Sequence, residues 1–137
     1  MSGFFPAMSE HETLQISMLG LAHVGDGVYE LLIRSYLCEH GHRSVAELHK
    51  MTVAEVNAPA QAKAMRKLLP LLSEEETAVY KRGRNARVNS VPHNAELSQY
   101  HAATGLEALF GWLYLLGRIE RINQLFAAIS EGFDHAS

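Results

Sequence analysis

The strongest constraint on the fold of this chain comes from two apolar stretches that each contain glycines and an acidic residue. The first runs from Leu19 to Leu31, and its apolar residues recur at spacings of three and four, which predicts a helix. Asp26 lies within it, between Gly25 and Gly27. A glycine weakens a helix by roughly 1 kcal/mol relative to alanine, so two of them in one helix need a structural reason.

The second stretch, 102–116, is almost entirely apolar, and its one charged residue is Glu107, with Gly105 and Gly111 on either side. A helix surface without side chains allows another backbone to approach closely. We therefore expect the two helices to pack together and to bring Asp26 and Glu107 into one site. A hard cation is the simplest way to keep both carboxylates ionised in a packed setting. The alternative is that Asp26 lies at a helix edge and is solvated.

Length, charge and cysteine content limit the remaining possibilities. A chain of 137 residues is expected to form one domain, with its core between about residues 10 and 131. The single cysteine, Cys38, cannot form an internal disulfide, so a reducing, cytoplasmic compartment is expected. No apolar run reaches the length of a membrane span, and residues 1–8 lack the pattern of a secretion signal. The net charge of −3 argues against a wholly basic nucleic-acid-binding surface.

Helix start signals recur along the chain. Capping boxes, in which a serine or threonine precedes a glutamate by three residues, begin at Ser9, Ser44, Thr52 and Ser73. The first predicted helix covers 9–39, with a break near Leu19 or Gly20. Shorter helices are predicted at 44–50, from 52 to an interruption at Pro59, at 61–69 and at 73–82. The last two are predicted at 94–116, capped by Asn94, and at 118–131, after Gly117. No segment shows the period-two alternation of a strand. The predicted fold class is all-α.

The segment 81–93 is predicted as a basic loop, because it combines loop-forming residues with several cations and no acid. One interpretation is a solvated connector. The other is a loop that contacts phosphate groups, because guanidinium groups match the geometry of phosphate oxygens. The candidate phosphate-contacting residues are Lys81, Arg82, Arg84, Asn85 and Arg87.

Three motifs, in this order, resemble the ribonuclease III catalytic domain, and specifically the short bacterial form of that family, Mini-ribonuclease III. They are Leu21–Glu30 (LAHVGDGVYE), Lys81–Ala86 (KRGRNA) and Tyr100–Gly111 (YHAATGLEALFG). The likeness extends from about residue 14 to 125. It implies an all-helical, homodimeric endoribonuclease that depends on Mg²⁺ and cuts double-stranded RNA. The short form lacks a separate double-stranded-RNA-binding domain, and none is expected here.

The resemblance also implies roles for individual residues. Asp26 and Glu107 match the family's catalytic, metal-binding acids. Longer family members have two further glutamates at the positions of Leu19 and Ala22 and an aspartate at the position of Thr104, and the short form departs in the same way. Because Mg²⁺ keeps several waters, two carboxylates can suffice. Thr104, one turn before Glu107, is a candidate for holding a water.

Three further residues are weaker candidates. His23 falls where the family has an aromatic residue that packs into the partner subunit, and with Gly27 it marks the expected dimer interface. Glu30 is either an outer ligand of the metal or, as we favour, a solvated or ion-paired side chain.

The implied substrate is the large-subunit ribosomal RNA precursor, with a ribosomal protein that presents it as a further candidate partner. The alternative function is a catalytically inactive RNA-binding or ribosome-assembly module on the same scaffold. Retention of both Asp26 and Glu107 favours the enzyme, because a protein that only binds RNA has no use for acids facing phosphate.

Overall fold

A computed structural model describes residues 3–86 and 96–133, and helices account for its architecture. The helices are α1 Glu10–Thr13, α2 Met18–Glu39, α3 Val45–Val56, α4 Ala58–Leu68, a short 3-10 helix Leu69–Leu71, α5 Glu74–Arg84, α6 Leu97–Leu115 and α7 Ile119–Ser130. No residue in the two described ranges lies in a β-strand, so the all-α prediction is confirmed. None of these helices is both long and apolar enough to cross a membrane.

Three of the predicted capping boxes are present. At Ser9, Ser44 and Ser73 the serine hydroxyl accepts a hydrogen bond from the backbone N–H three residues later, at 3.1, 3.1 and 3.2 Å. In each case the glutamate at that position accepts in return from the serine N–H. These local pairs satisfy backbone donors that a helix start leaves unpaired, which is why the sequence alone locates α1, α3 and α5.

The predicted helix start at Thr52 is wrong. α3 continues to Val56, and the Thr52 hydroxyl donates to the Leu48 carbonyl oxygen at 2.8 Å inside that helix. Pro59 does not interrupt a helix but lies in the first turn of α4, where a proline costs no hydrogen bond. Asn57 caps α4 by accepting from the Ala60 N–H at 2.9 Å.

Two other boundaries differ from prediction. The break after the first helix falls between Thr13 and Met18 rather than near Leu19 or Gly20, because Ser17 caps α2 by accepting from the Gly20 N–H at 3.0 Å. The predicted cap at Asn94 lies outside the described residues. The separation of α6 from α7 at Gly117 is confirmed, and Gly117 has the positive φ of 78° that favours glycine.

The core lies between α2 and α6, which pack along each other, while α4 and α5 cover other sides of α6. Buried side chains of α2 meet those of α6 there, for example in the edge-to-face contact of Tyr29 and Phe110, with ring centroids 5.5 Å apart. Because α6 is surrounded on several sides, it is apolar almost throughout, and a charged residue on it stands out. The largest fully buried side chains are Leu21, Tyr29, Ile33, Leu37, Met65, Leu68, Leu106, Leu109, Phe110, Leu113, Leu125 and Ile129.

Candidate active site

Glycines allow α2 and α6 to cross with their backbones in contact. A Cβ atom on Gly25 would lie 1.6 Å from the carbonyl oxygen of Glu107, and one on Gly111 would lie 1.9 Å from the carbonyl oxygen of Leu21. No side chain fits at either position. The expectation that glycines in these stretches permit a close approach of two helices is therefore confirmed at Gly25 and Gly111.

This crossing brings the two predicted acids into one cleft. Asp26 and Glu107, 81 positions apart in sequence, both line a cleft of about 360 Å³ between α2, α4 and α6. Asp26 is exposed and Glu107 is half-buried. The residues that line the cleft are Leu19, Ala22, His23, Asp26, Val56, Ala58, Gln61, Tyr100, Ala103, Thr104 and Glu107.

The electrostatics of the pair are unfavourable in the absence of a cation. Burial raises the pKa of Glu107, and the negative charge of Asp26 and a hydrogen bond with it raise that pKa further, to about 8. A hydrogen bond from Gln61 acts in the opposite direction. The raised pKa means that Glu107 keeps a proton near neutral pH unless positive charge enters the cleft.

Gln61 of α4 is a residue of the cleft that sequence reasoning missed. It is almost fully buried, and its Nε2 donates to Glu107 Oε2 at 3.4 Å, a long hydrogen bond. Its Oε1 is buried and has no hydrogen-bond partner among the described residues. The available signal was a lone amide among the alanines of α4, which parallels Glu107 as the lone acid in its apolar stretch.

The remaining predicted residues divide between the cleft and its surroundings. Thr104 and His23 line the cleft; the Thr104 hydroxyl donates to the Tyr100 carbonyl oxygen at 3.1 Å. Glu30 does not line it, and its carboxylate pairs with Arg34 at 2.8 Å, as the favoured interpretation expected. Gly27 is exposed, with open space where a Cβ would be.

The helix predicted to end near Lys81 or Arg82 continues to Arg84, so the basic segment begins as helix and not as loop. Lys81, Arg82 and Arg84 form the last turn of α5, and Asn85 is its C-cap. Cations are favourable at a helix C-terminus because the helix dipole is negative there. Arg84 also lies over the Tyr80 ring, 5.7 Å from its centroid, and its Nε donates to Asn85 Oδ1. Arg87 lies outside the described residues.

Helix α5 continues through Gly83 because α6 packs against it at this residue. A Cβ on Gly83 would lie 2.6 Å from the Ala108 Cβ and 3.1 Å from the Gly105 Cα, so α5 touches α6 here without an intervening side chain. That contact lies on the same turn of α6 as Glu107. The basic turn is thus held rigidly against the helix that carries one of the acids.

Across residues 3–86 and 96–133, no three His, Cys, Asp or Glu side chains form a group that could hold a metal ion. The acidic pair is accompanied in the cleft by neutral oxygen-bearing side chains, those of Gln61, Thr104 and Tyr100. Oxygen atoms of this kind are the donors that hard cations prefer.

Comparison with known proteins identifies the class. The Ribonuclease III domain family matches residues 19–118, a segment that contains both acids of the cleft. The chain therefore belongs to the ribonuclease III family, a class of endoribonucleases.

Within that family, the chain is similar to proteins named Mini-ribonuclease 3. It is 42% identical to the one from Thermoanaerobacter sp. (strain X514) over 118 residues, which cover 86% of this chain and 83% of that protein. It is 37% identical over 130 residues to the one from Clostridium tetani, covering 94% and 86%. A crystal structure of a Fusobacterium nucleatum protein superposes with a TM-score of 0.76 at 34% identity, covering 85% and 93% of the two chains. The resemblance seen in the motifs is confirmed.

Proposed function

We propose that this chain is a Mg²⁺-dependent endoribonuclease that hydrolyses phosphodiester bonds in double-stranded RNA, with Asp26 and Glu107 as its catalytic acids. The observation that carries the proposal is the placement of these two carboxylates in one cleft by a crossing that leaves no room for side chains. Membership of the ribonuclease III family supplies the reaction class.

The residues of the cleft fit a hard divalent cation. The donors are two carboxylates and neutral oxygens, and one neutral oxygen, Gln61 Oε1, is buried without a partner among the described residues. The pKa of Glu107, raised by burial and by Asp26, also fits, because a cation would relieve the repulsion between the two acids. When bound by Asp26 and Glu107, a Mg²⁺ ion supplies charge neutralisation at the phosphate and an activated water nucleophile.

The protein groups have defined tasks in this proposal. Glu107 must give up the proton that it holds near neutral pH when the cation enters, because a metal ligand has to be deprotonated. Asp26, which is exposed at the cleft, contributes the second carboxylate. The backbone contact at Gly25 and Gly111 keeps the two acids in fixed register. Fixed acids keep the site organised before the substrate arrives.

Binding of the RNA is assigned to the basic turn of Lys81, Arg82 and Arg84, with Asn85 and Arg87 following it in the chain. The net charge is −3, so attraction to a polyanion has to be local. Duplex RNA presents its backbone and 2′-hydroxyl groups rather than readable base edges, so recognition depends mainly on shape and phosphate contacts.

We assign the active form to a homodimer that associates through an apolar groove on the outer side of α2. The groove includes Gly27, whereas His23, the other residue expected at the interface, lines the acidic cleft. The groove is about 350 Å³ and is lined by Phe4, Phe5, Val24, Gly27, Val28, Leu31, Leu32, Tyr114, Ile119, Ile122 and Asn123. Exposed apolar grooves of this kind are typical of protein interfaces. A two-fold dimer provides two cleavage sites, which suits a duplex whose strands are related by pseudo-two-fold symmetry.

The substrate implied by the resemblance is the large-subunit ribosomal RNA precursor, in the cytoplasm, with a ribosomal protein as a candidate for presenting it. Mapping of RNA 5′ ends in cells depleted of this protein would test it. Accumulation of precursor ends on the large-subunit RNA would support the assignment, and unchanged ends there would contradict it.

The decisive test is cleavage of a defined duplex by purified variants. Asp26→Asn and Glu107→Gln should each reduce the cleavage rate by more than about 100-fold, because loss of outer-shell metal partners alone costs roughly 10–100-fold. Duplex binding should persist. Glu30→Gln is the matched control, since it makes the same change on α2 outside the cleft.

Near-wild-type cleavage by either cleft variant would remove the catalytic assignment. A wild-type protein that binds duplex RNA but does not cut it at any Mg²⁺ concentration would instead support the inactive binding or assembly module.

A further inference from the structure

Gln61 has an unusual environment for a polar side chain. Its side chain is 1% exposed and lies on α4 at the back of the cleft, facing Glu107 of α6. Its Nε2 donates to Glu107 Oε2 at 3.4 Å, and its Oε1 has no partner in the described part of the chain. A buried amide normally has both of its groups paired.

This arrangement does not favour folding. An amide oxygen that loses its water on burial and gains no partner is destabilising, and an apolar side chain of the same shape at that position would avoid the loss. The neighbours on α4, Ala62, Ala64 and Met65, are themselves buried and apolar, so an apolar residue would fit its surroundings. Residues that break a packing rule in this way are concentrated at functional sites.

We propose that Gln61 is a positioning residue for the cation site: its amide N–H holds the Glu107 carboxylate in place, and its Oε1 accepts a hydrogen bond from a water that enters the cleft with the cation. This rests on the proposed cation site and extends it to a third helix, α4. Mg²⁺ retains several of its waters when it binds protein carboxylates, so water in the cleft is expected to accompany it. Buried waters typically satisfy polar atoms that otherwise have no partner.

The test measures cation binding separately from activity. Gln61→Met conserves length and volume but removes both polar groups. We expect it to weaken Mn²⁺ binding, measured by electron paramagnetic resonance of free Mn²⁺ with Mg²⁺ competition, by about 10-fold or more, as for other outer-shell partners. The Tm of the metal-free protein should stay the same or rise. The kcat for a duplex should fall, while KM stays near its wild-type value.

Gln99→Met is the matched control. Gln99 lies on α6, which also carries Glu107, but it lines a different depression, so its replacement should leave Mn²⁺ affinity unchanged. Gln61→Leu is a second variant in case Gln61→Met folds poorly. It also lacks both polar groups, so it should weaken Mn²⁺ binding to a similar extent without lowering the metal-free Tm.

Each outcome has a defined meaning. Wild-type Mn²⁺ affinity in Gln61→Met would overturn the role of Gln61 and leave the acidic pair as the site. A fall in its metal-free Tm of more than about 4 °C would assign Gln61 to the core instead. Wild-type Mn²⁺ affinity in Gln61→Leu would contradict the proposal in the same way. Failure of the wild-type protein to bind Mn²⁺ would overturn the cation site itself, and the role of Gln61 with it.

Discussion

Two effects raise the pKa of Glu107: its burial and the negative charge of Asp26. Both favour the protonated form of the carboxyl group. Its pKa rises from 4.5 to about 8 on folding, so between these values the folded protein keeps a proton that the unfolded chain releases. Stability falls with pH wherever the folded state binds more protons. The contribution of Glu107 is thus least unfavourable below about pH 4.5 and becomes fully unfavourable above about pH 8.

This predicts a pH-dependent Tm in the metal-free protein. The Tm of the wild type should fall relative to that of Glu107→Gln as the pH is raised from 5 to 8, because only the wild type has a carboxyl group to deprotonate there. Differential scanning calorimetry in chelator-containing buffers measures both curves, and their difference cancels the histidine titrations that the two proteins share. Saturating Mg²⁺ should flatten the difference. Parallel curves without metal would contradict the raised pKa.

At the scale of elements, α2 carries two glycines with different neighbours. Gly25 faces the backbone of α6, and Gly27, two residues later, faces open space. The same substitution, glycine to alanine, can therefore be made where the new Cβ would clash, at Gly25, and where it would not, at Gly27. Backbone atoms cannot move aside as a flexible side chain can, so the conflict at Gly25 has to separate the helices.

Gly25→Ala should therefore lower the free energy of unfolding by about 3 kcal/mol or more, at the upper end of the cost of overpacking. Gly27→Ala should raise it by up to about 1 kcal/mol, the difference in helix propensity. Urea unfolding of the monomer, at protein concentrations below the dimer dissociation constant, measures both. Equal effects of the two substitutions would show that the helices do not cross as described.

The basic turn of α5 is a second element whose role can be measured. Lys81 and Arg82 are exposed on the last turn, and Gly83 anchors that turn against α6. Cations on a rigid helix keep their spacing, whereas cations on a loop would have to be ordered when RNA binds. The turn is therefore expected to fix which phosphates of the duplex lie beside the cleft.

Replacement of Lys81 and Arg82 by alanine should weaken duplex binding and reduce the slope of log K against log salt by roughly 1 for each phosphate that is no longer neutralised. The measurement uses the Asp26→Asn background to prevent cutting. Lys50→Ala with Lys63→Ala makes the same change in net charge at two exposed positions on α3 and α4. An equal weakening in this control would indicate a general effect of net charge and not a binding surface.

At the scale of the whole molecule, the apolar groove along α2 is open to solvent. Leu31 is 48% exposed there, and Phe4 and Phe5 are exposed more fully. The N-terminal segment is tied to the rest of the chain, since the Met8 N–H donates to the Leu115 carbonyl oxygen at 2.8 Å and the Tyr114 hydroxyl donates to the Phe4 carbonyl oxygen. The groove thus combines α2, α7 and a segment far from α7 in sequence.

Leu31→Glu should convert the proposed homodimer to a monomer, because a charge buried in an apolar interface costs several kcal/mol and each 1.4 kcal/mol is about tenfold in the dissociation constant. Analytical ultracentrifugation at micromolar concentration measures the change. Val53→Glu is the control, since Val53 is also 48% exposed but lies on α3 outside the groove. A wild-type monomer with full cleavage activity would contradict the dimer assignment.

The features that could be predicted from the sequence are of two kinds. Some depend only on neighbouring residues, and the others are carried by residues that are unusual in an apolar helix. The capping boxes at Ser9, Ser44 and Ser73 join residues three apart, so neighbouring positions suffice to find them. The acids Asp26 and Glu107 stand out because each is set among glycines in an apolar helix. Both kinds of signal can be read without knowledge of the tertiary fold.

The features that it missed depend on contacts between distant segments. Gly83 continues a helix where glycine usually ends one, because α6 lies against it. Glu76 accepts from Arg121 at 2.8 Å, 45 positions away, and neither residue has a neighbour that indicates the pair. The role of Gln61 becomes clear only once Glu107 is known to face it. Propensity and pattern cannot supply these partners, because tertiary packing decides them.

The backbone contact between α2 and α6 at Gly25 and Gly111 also bears on how sequences of this kind can diverge. At Gly25 and Gly111 the two helices meet through peptide groups, whose size does not change with sequence, and not through apolar side chains. Apolar core residues can then change during evolution without moving the two acids, provided that Gly25 and Gly111 are retained. A library that randomises the apolar core but retains these two positions should yield many active clones, whereas one that frees the glycines alone should yield almost none.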